Sequence, residues 1–155
     1  MWSIVDKMFR GSSNHTIDPK GRIIIPTRFR NTIKSNGGNG VMVTVMDNCL
    51  FAFPFDAWSK LEDKIMSLTE TNASMRRFRR VIIGQASECN CDKQGRILIP
   101  PTLRQYAKLE KEIILVGVLK HFEIWSREQW TTENEDCGPD MLKEELSADI
   151  AVLGL

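Results

Sequence analysis

A chain of 155 residues, 42% hydrophobic and 26% charged, can bury one substantial core or two small ones that share an interface. No uninterrupted apolar run reaches the roughly eighteen residues of a membrane span, and Met1-Trp2-Ser3-Ile4-Val5-Asp6-Lys7 lacks a signal peptide's apolar stretch, so a soluble, cytoplasmic protein is expected. The net charge of +1 divides unevenly: residues 133–149 carry seven acidic side chains against Lys143 alone, a balance of −6, which leaves +7 on the body and suits an anionic partner.

In chain order, Met8-Phe9-Arg10-Gly11 reads as a natural beginning, with the first seven residues as an extension. Ser13 to Ile17 predicts a strand, and Arg22 to Ile25 its hairpin partner across the turn Asp18-Pro19-Lys20-Gly21. Pro26 suits the first turn of a helix over Thr27 to Lys34, with Phe29 and Ile33 facing the core. After a Gly-rich turn at 35–40, Val41 to Met46 and Leu50 to Phe53 form two apolar strands joined at Asp47-Asn48. Asp56 is placed to cap a connecting helix with Trp58, Leu61, Ile65 and Leu68 on one side. Residues 71–74 break that helix before the basic turn Met75-Arg76-Arg77-Phe78-Arg79-Arg80. A second strand, turn, strand and helix then follow from Ser87, with Leu103, Ala107 and Tyr106 inward. The apolar hairpin recurs at Glu112 to Val118 and His121 to Trp125, and an acidic helix at about Asp140 to Ile150 ends the chain.

The order of these elements reflects an internal repeat. Asp18-Pro19-Lys20-Gly21-Arg22-Ile23-Ile24-Ile25-Pro26 returns seventy-four positions later as Asp92-Lys93-Gln94-Gly95-Arg96-Ile97-Leu98-Ile99-Pro100. Asp first and Gly fourth are turn-forming positions, so Asp18, Gly21, Asp92 and Gly95 are assigned to the turns themselves. Arg30 matches Arg104 at the same spacing; after a two-residue gap Trp58 matches Trp130, and Leu50 to Phe53 matches Phe122 to Trp125. Two copies of one unit are expected to pack about a pseudo-two-fold axis. The units are placed at 12–59 and 88–131, with a helical connector and basic run at 60–87 and an acidic tail at 132–155.

Little in the chain suits catalysis. Cys49, Cys89, Cys91 and Cys137 lack zinc-site spacing, and His15 and His121 are the only histidines, so no metal and no cofactor is expected and the thiols read as reduced, small apolar residues. The two aspartates could suggest a shared-proton dyad, but such dyads place Gly two residues after Asp rather than three, and an adjacent Arg favours the ionised carboxylate. No catalytic residue is assigned.

The two D-x-x-G-R turns, the intervening R-R-F-R-R and the later L-V-G-V-L-K-H-F-E-I-W resemble the MraZ family, two tandem copies of the DNA-binding unit of AbrB and SpoVT regulators and MazE-type antitoxins. The resemblance runs from Met8 to about Trp130. It implies an α+β fold, a pseudo-two-fold swapped-hairpin β-barrel of two β-α-β-β units with flanking helices. It also implies a bacterial, nucleoid-associated regulator that binds short direct repeats in double-stranded DNA upstream of the division and cell-wall gene cluster containing its own gene, and homo-oligomeric rings. The first seven residues and the acidic tail depart from the family pattern.

For DNA, Arg22 and Arg96 are the base-reading candidates, because a guanidinium can donate two parallel hydrogen bonds to guanine in the major groove. Each could equally brace its own turn through Asp18 or Asp92, and the sequence leaves both roles open. Lys20, Lys93, Arg28 and Arg30 are candidate phosphate contacts, with Arg104 in a weaker tier. Arg76, Arg77, Arg79 and Arg80 fit either DNA or a neighbouring chain, while Trp58, Trp125 and Trp130 read as core or interface. The alternative class, an antitoxin-type interaction module, would carry one unit and a long tail rather than two units and a short one.

Overall fold

The computed structural model describes residues 7–69, 72–134 and 138–154. The extension up to Asp6, Thr71 and Cys137 lie outside the described residues. Among the described residues eight strands are formed: β1 (Ser12–Thr16), β2 (Arg22–Ile24), β3 (Gly40–Met46), β4 (Cys49–Pro54), β5 (Ser87–Asn90), β6 (Arg96–Leu98), β7 (Glu112–Gly117) and β8 (Phe122–Ser126). Among them run α1 (Thr27–Ser35), α2 (Phe55–Met66), α3 (Ala73–Gly84), α4 (Pro101–Tyr106), α5 (Arg127–Asn134), α6 (Gly138–Met141) and α7 (Glu144–Val152). No described helix is long and apolar enough to cross a membrane.

The expected hairpin between the first two strands is not what forms. β1 pairs with β7 of the other half, His15 opposite Ile113, while β5 pairs with β3, Cys89 opposite Val41. β2 pairs with β6 instead, Ile23 opposite Ile97. Each half therefore lends its first strand to the other, and the order β1-β7-β8-β4-β3-β5 is a six-stranded antiparallel sheet beside the two-stranded β2–β6 ribbon. The closed barrel is also not formed. Among the described residues, the isolated Ile17–Ile23 bridge and the backbone bonds from Asp18 N–H to Arg22 C=O and from Asp92 N–H to Arg96 C=O join the ribbon to the ends of the sheet-edge strands, and no ladder continues from them. β2 and β6 turn away from the sheet edges to pair with each other, so the ladder begun at each tight turn does not continue.

Strand alternation sorts the side chains into two faces. Val41, Val43, Val45, Leu50, Ala52, Ile113, Leu115, Phe122 and Ile124 point one way and are buried under the ribbon's Ile23 and Ile97, with Phe29 and Ile33 of α1 and Leu103 of α4. On the other face Phe53 meets Trp58 of α2 and Trp125 meets the half-buried Trp130 of α5, and Thr44 Oγ1 donates to the Ile82 carbonyl of α3. Phe9, which no periodicity placed in the core, is fully buried edge-on to Phe29 and beside Phe122, its N–H bonded to the Leu119 carbonyl.

Several local expectations shift. The β3–β4 turn has Asp47 and Asn48 at φ 54° and 66°, the two positive values a type I′ hairpin requires. Asp56 is not the cap of α2; Pro54 is, and Asp56 lies in the first turn, where its charge still complements the helix N-terminus. Met75 to Gly84 belong to one continuous helix, opened by Asn72, whose side chain accepts from the N–H groups of Ser74 and Met75. Tyr106 is exposed, its hydroxyl accepting from Asn48 N–H, because α4 stops there and Lys108 turns the chain at φ 56°. Leu68 is exposed beyond the end of α2, and the tail forms two short helices rather than one.

Candidate nucleic-acid interface

The two turns have one geometry. Asp18 Oδ1 accepts from the backbone N–H of Lys20 (3.0 Å) and Arg22 (2.8 Å), and its Oδ2 accepts from Arg22 Nε at 2.6 Å. Asp92 Oδ1 accepts from the N–H of Gln94 and Arg96, both at 2.9 Å, and its Oδ2 from Arg96 Nε at 2.9 Å. The backbone N–H of Arg22 or Arg96 is the main influence holding each carboxyl below its ordinary range, and the guanidinium adds to it. Both aspartates are therefore anions at neutral pH. Among the described residues, Nε is the guanidinium nitrogen that each arginine spends on its brace. The brace does not use the terminal Nη pair, the edge whose spacing matches guanine O6 and N7.

Register then places the two arginines together. Arg22 stands opposite Leu98, and Ile24 opposite Arg96. Paired residues and alternate residues share a face, so Arg22, Ile24, Arg96 and Leu98 form one surface of the ribbon, with Arg22 and Arg96 diagonal neighbours about 7–8 Å apart at Cα. The opposite surface is Ile23 and Ile97, 0% and 1% exposed, whereas Ile24 and Leu98 are 57% and 55% exposed. The two aliphatic residues were missed at the sequence level because Ile23-Ile24-Ile25 reads as a continuous apolar run. Alternation between the flanking Arg and Pro was the available signal.

The remaining candidates separate. Lys20 and Lys93 are exposed on the turns, and Arg28 is exposed on α1 with its guanidinium 4.8 Å from the centre of the Phe29 ring. Arg30 is half-buried: Nε donates to the Ile25 carbonyl at 3.1 Å and Nη2 to Thr27 Oγ1 at 2.8 Å, and the side chain lies over Gly95. Arg104 lies in the equivalent place over Gly21. Each arginine covers the turn of the opposite half. Of the basic run, Arg79 donates to the carbonyls of Ile65 and Leu68 at the end of α2, and α3 packs on the sheet face away from the ribbon. No group of three or more metal-ligating side chains occurs among the described residues.

Comparison with known proteins is consistent across the chain. Residues 8–81 and 82–137 match the family described as "MraZ protein, putative antitoxin-like". The chain is 57% identical over 148 residues to the Transcriptional regulator MraZ of Desulforapulum autotrophicum, spanning 96% of this chain and 100% of that one. The protein of the same name from Desulfosudis oleivorans is 51% identical over the same extent, and that of Moorella thermoacetica 49% identical over 123 residues, 79% of this chain and 84% of its own.

Proposed function

Because the chain belongs to the MraZ family, we propose that it is a transcriptional regulator that reads duplex DNA with the outer surface of the β2–β6 ribbon. The observation that carries this reading is the pair of half-buried arginines on one ribbon face, each fixed through Nε by its own aspartate. A two-stranded ribbon fits the major groove, and preorganised guanidinium groups lose little entropy on meeting guanine. Bracing and base reading are thus one arrangement. Lys20, Lys93 and Arg28 supply phosphate contacts that set register and salt dependence. Arg30 and Arg104 serve mainly to hold the turns.

The same reading extends to short direct repeats upstream of the division and cell-wall gene cluster, bound by a homo-oligomeric ring that presents one ribbon per subunit, in the cytoplasm at the nucleoid. Both arginines of a chain enter one groove, so successive repeats are met by successive subunits, and multivalency turns weak single contacts into tight binding. The test is binding of wild type, Arg22→Ala and Arg96→Ala to DNA from upstream of the protein's own gene and to scrambled DNA, at two salt concentrations, with thermal melting as a folding control. Folded variants that lose preference for the native DNA support base reading. Unchanged preference and affinity overturn it and favour an antitoxin-type protein partner.

A further inference from the structure

Ile24 and Leu98 pose a problem that the arginines do not explain. They are the most exposed branched residues of the ribbon, more than half accessible, on the same surface as Arg22 and Arg96 and on its other diagonal. An aliphatic pair left in water at such a position forgoes the burial available to Ile23 and Ile97 two atoms of backbone away. Their surroundings specify what would cover them. A partner must be apolar at two points and carry acceptors beside each, since each aliphatic residue stands opposite an arginine of the other strand, about 4.5–5.5 Å away at Cβ. The floor of the DNA major groove meets that description, because the thymine C5-methyl lies in the groove next to guanine O6 and N7 of neighbouring pairs.

We propose that Ile24 and Leu98 are specificity-determining residues that contact thymine methyl groups beside the two guanines read by Arg22 and Arg96. This rests on the ribbon being the DNA-reading surface. The dimensions agree: a diagonal of about 7–8 Å corresponds to about two base-pair steps of about 3.4 Å, which leaves one base pair between the guanines, and the aliphatic pair on the other diagonal of the same face spans the same length. Within the two ribbon strands, 22–24 and 96–98, the halves differ in this residue alone, Ile against Leu, so the otherwise pseudo-symmetric face presents two differently shaped apolar contacts.

The experiment begins with duplexes selected by the wild-type chain from a random pool, after which each thymine of the selected site is replaced by deoxyuridine, which removes only the methyl. At one or two thymines within the arginine-read element, wild-type binding should weaken about fourfold per methyl, the worth of burying one methylene-sized group. That loss should disappear in Ile24→Ala or Leu98→Ala, whose folding is checked by melting. A selected site with no thymine there, uracil substitution without effect, or a loss that persists unchanged in both variants overturns the inference. If Arg22→Ala still abolishes selectivity in those cases, the ribbon reading stands without it. If the wild type selects no sequence at all, both fall. Alanine variants that change only the oligomeric state also overturn the inference, and assign the pair to contacts between chains.

Discussion

Arg104 lies across Gly21 of the opposite half so closely that a Cβ on Gly21 would stand 2.8 Å from its guanidinium carbon and 2.9 Å from the Ile99 carbonyl oxygen. Gly95 has the same relation to Arg30, but there the nearest atoms all belong to the flexible arginine. Both glycines have positive φ, 91° and 76°. Gly21→Ala and Gly95→Ala should each cost about 1–3 kcal/mol for the backbone conformation, and Gly21→Ala more, because a backbone oxygen cannot swing aside. Urea unfolding of the two variants checks the order.

The arginines of α1 should divide by role. Arg28→Ala should lower DNA affinity uniformly across sequences and reduce the salt slope by about 1, with little effect on melting. Arg30→Ala removes bonds to the Ile25 carbonyl and Thr27 hydroxyl and uncovers the second turn. It should destabilise the fold by about 1–3 kcal/mol. Salt titrations of binding alongside thermal melts separate the two.

Acid should act in two stages. Burial, then the Arg28 charge, lowers the His15 pKa below its usual 6.5, so the unfolded chain binds that proton first. Stability from His15 is therefore complete above pH 6.5 and declines as pH falls toward the folded value. Asp18 and Asp92 are depressed below 3.8, so their contribution holds above that value and is lost as pH falls through the lower folded ones. Melting temperature against pH should show both stages. His15→Gln should remove the upper stage, and Asp18→Asn with Asp92→Asn should flatten the lower.

The thiols offer a probe of the core. Burial pushes Cys89 up to about 11 and raises Cys49 further, while Cys91, half-buried, is raised less. Native alkylation should modify Cys91 before Cys49 and Cys89, and denaturant should release the latter two together with unfolding. Mass spectrometry of labelled peptides reads the order.

The elements themselves were legible because each carries its own signal: Pro26 at the start of a helix, Asp47-Asn48 between two strands, and the apolar runs of β3 and β4. The turns were legible twice over from their repetition. Strand partners were not, because a sequence that favours a tight turn between β1 and β2 says nothing about which strand has a free edge when both halves are present. Arg30 read as a phosphate contact because it sits beside Arg28. Its cover of Gly95 depends on the other half, sixty-five positions away, and no local pattern reports that. The open roles of Arg22 narrowed for a different reason: geometry shows Nε on Asp18, which the spacing alone allowed but did not orient.

The exchange of first strands also sets the timetable of synthesis. His15 cannot meet Ile113 until nearly a hundred further residues have been made, which at about 5–20 residues per second leaves β1 waiting on the order of 5–20 s. During that interval the nascent first half holds an unpaired β1, and its own β3 lacks the neighbour that β5 later provides. A message cut short between the halves would release a polypeptide in which β1, β2, β3 and β4 all lack the neighbour that the second half supplies, each open edge a template for pairing with another unfinished copy.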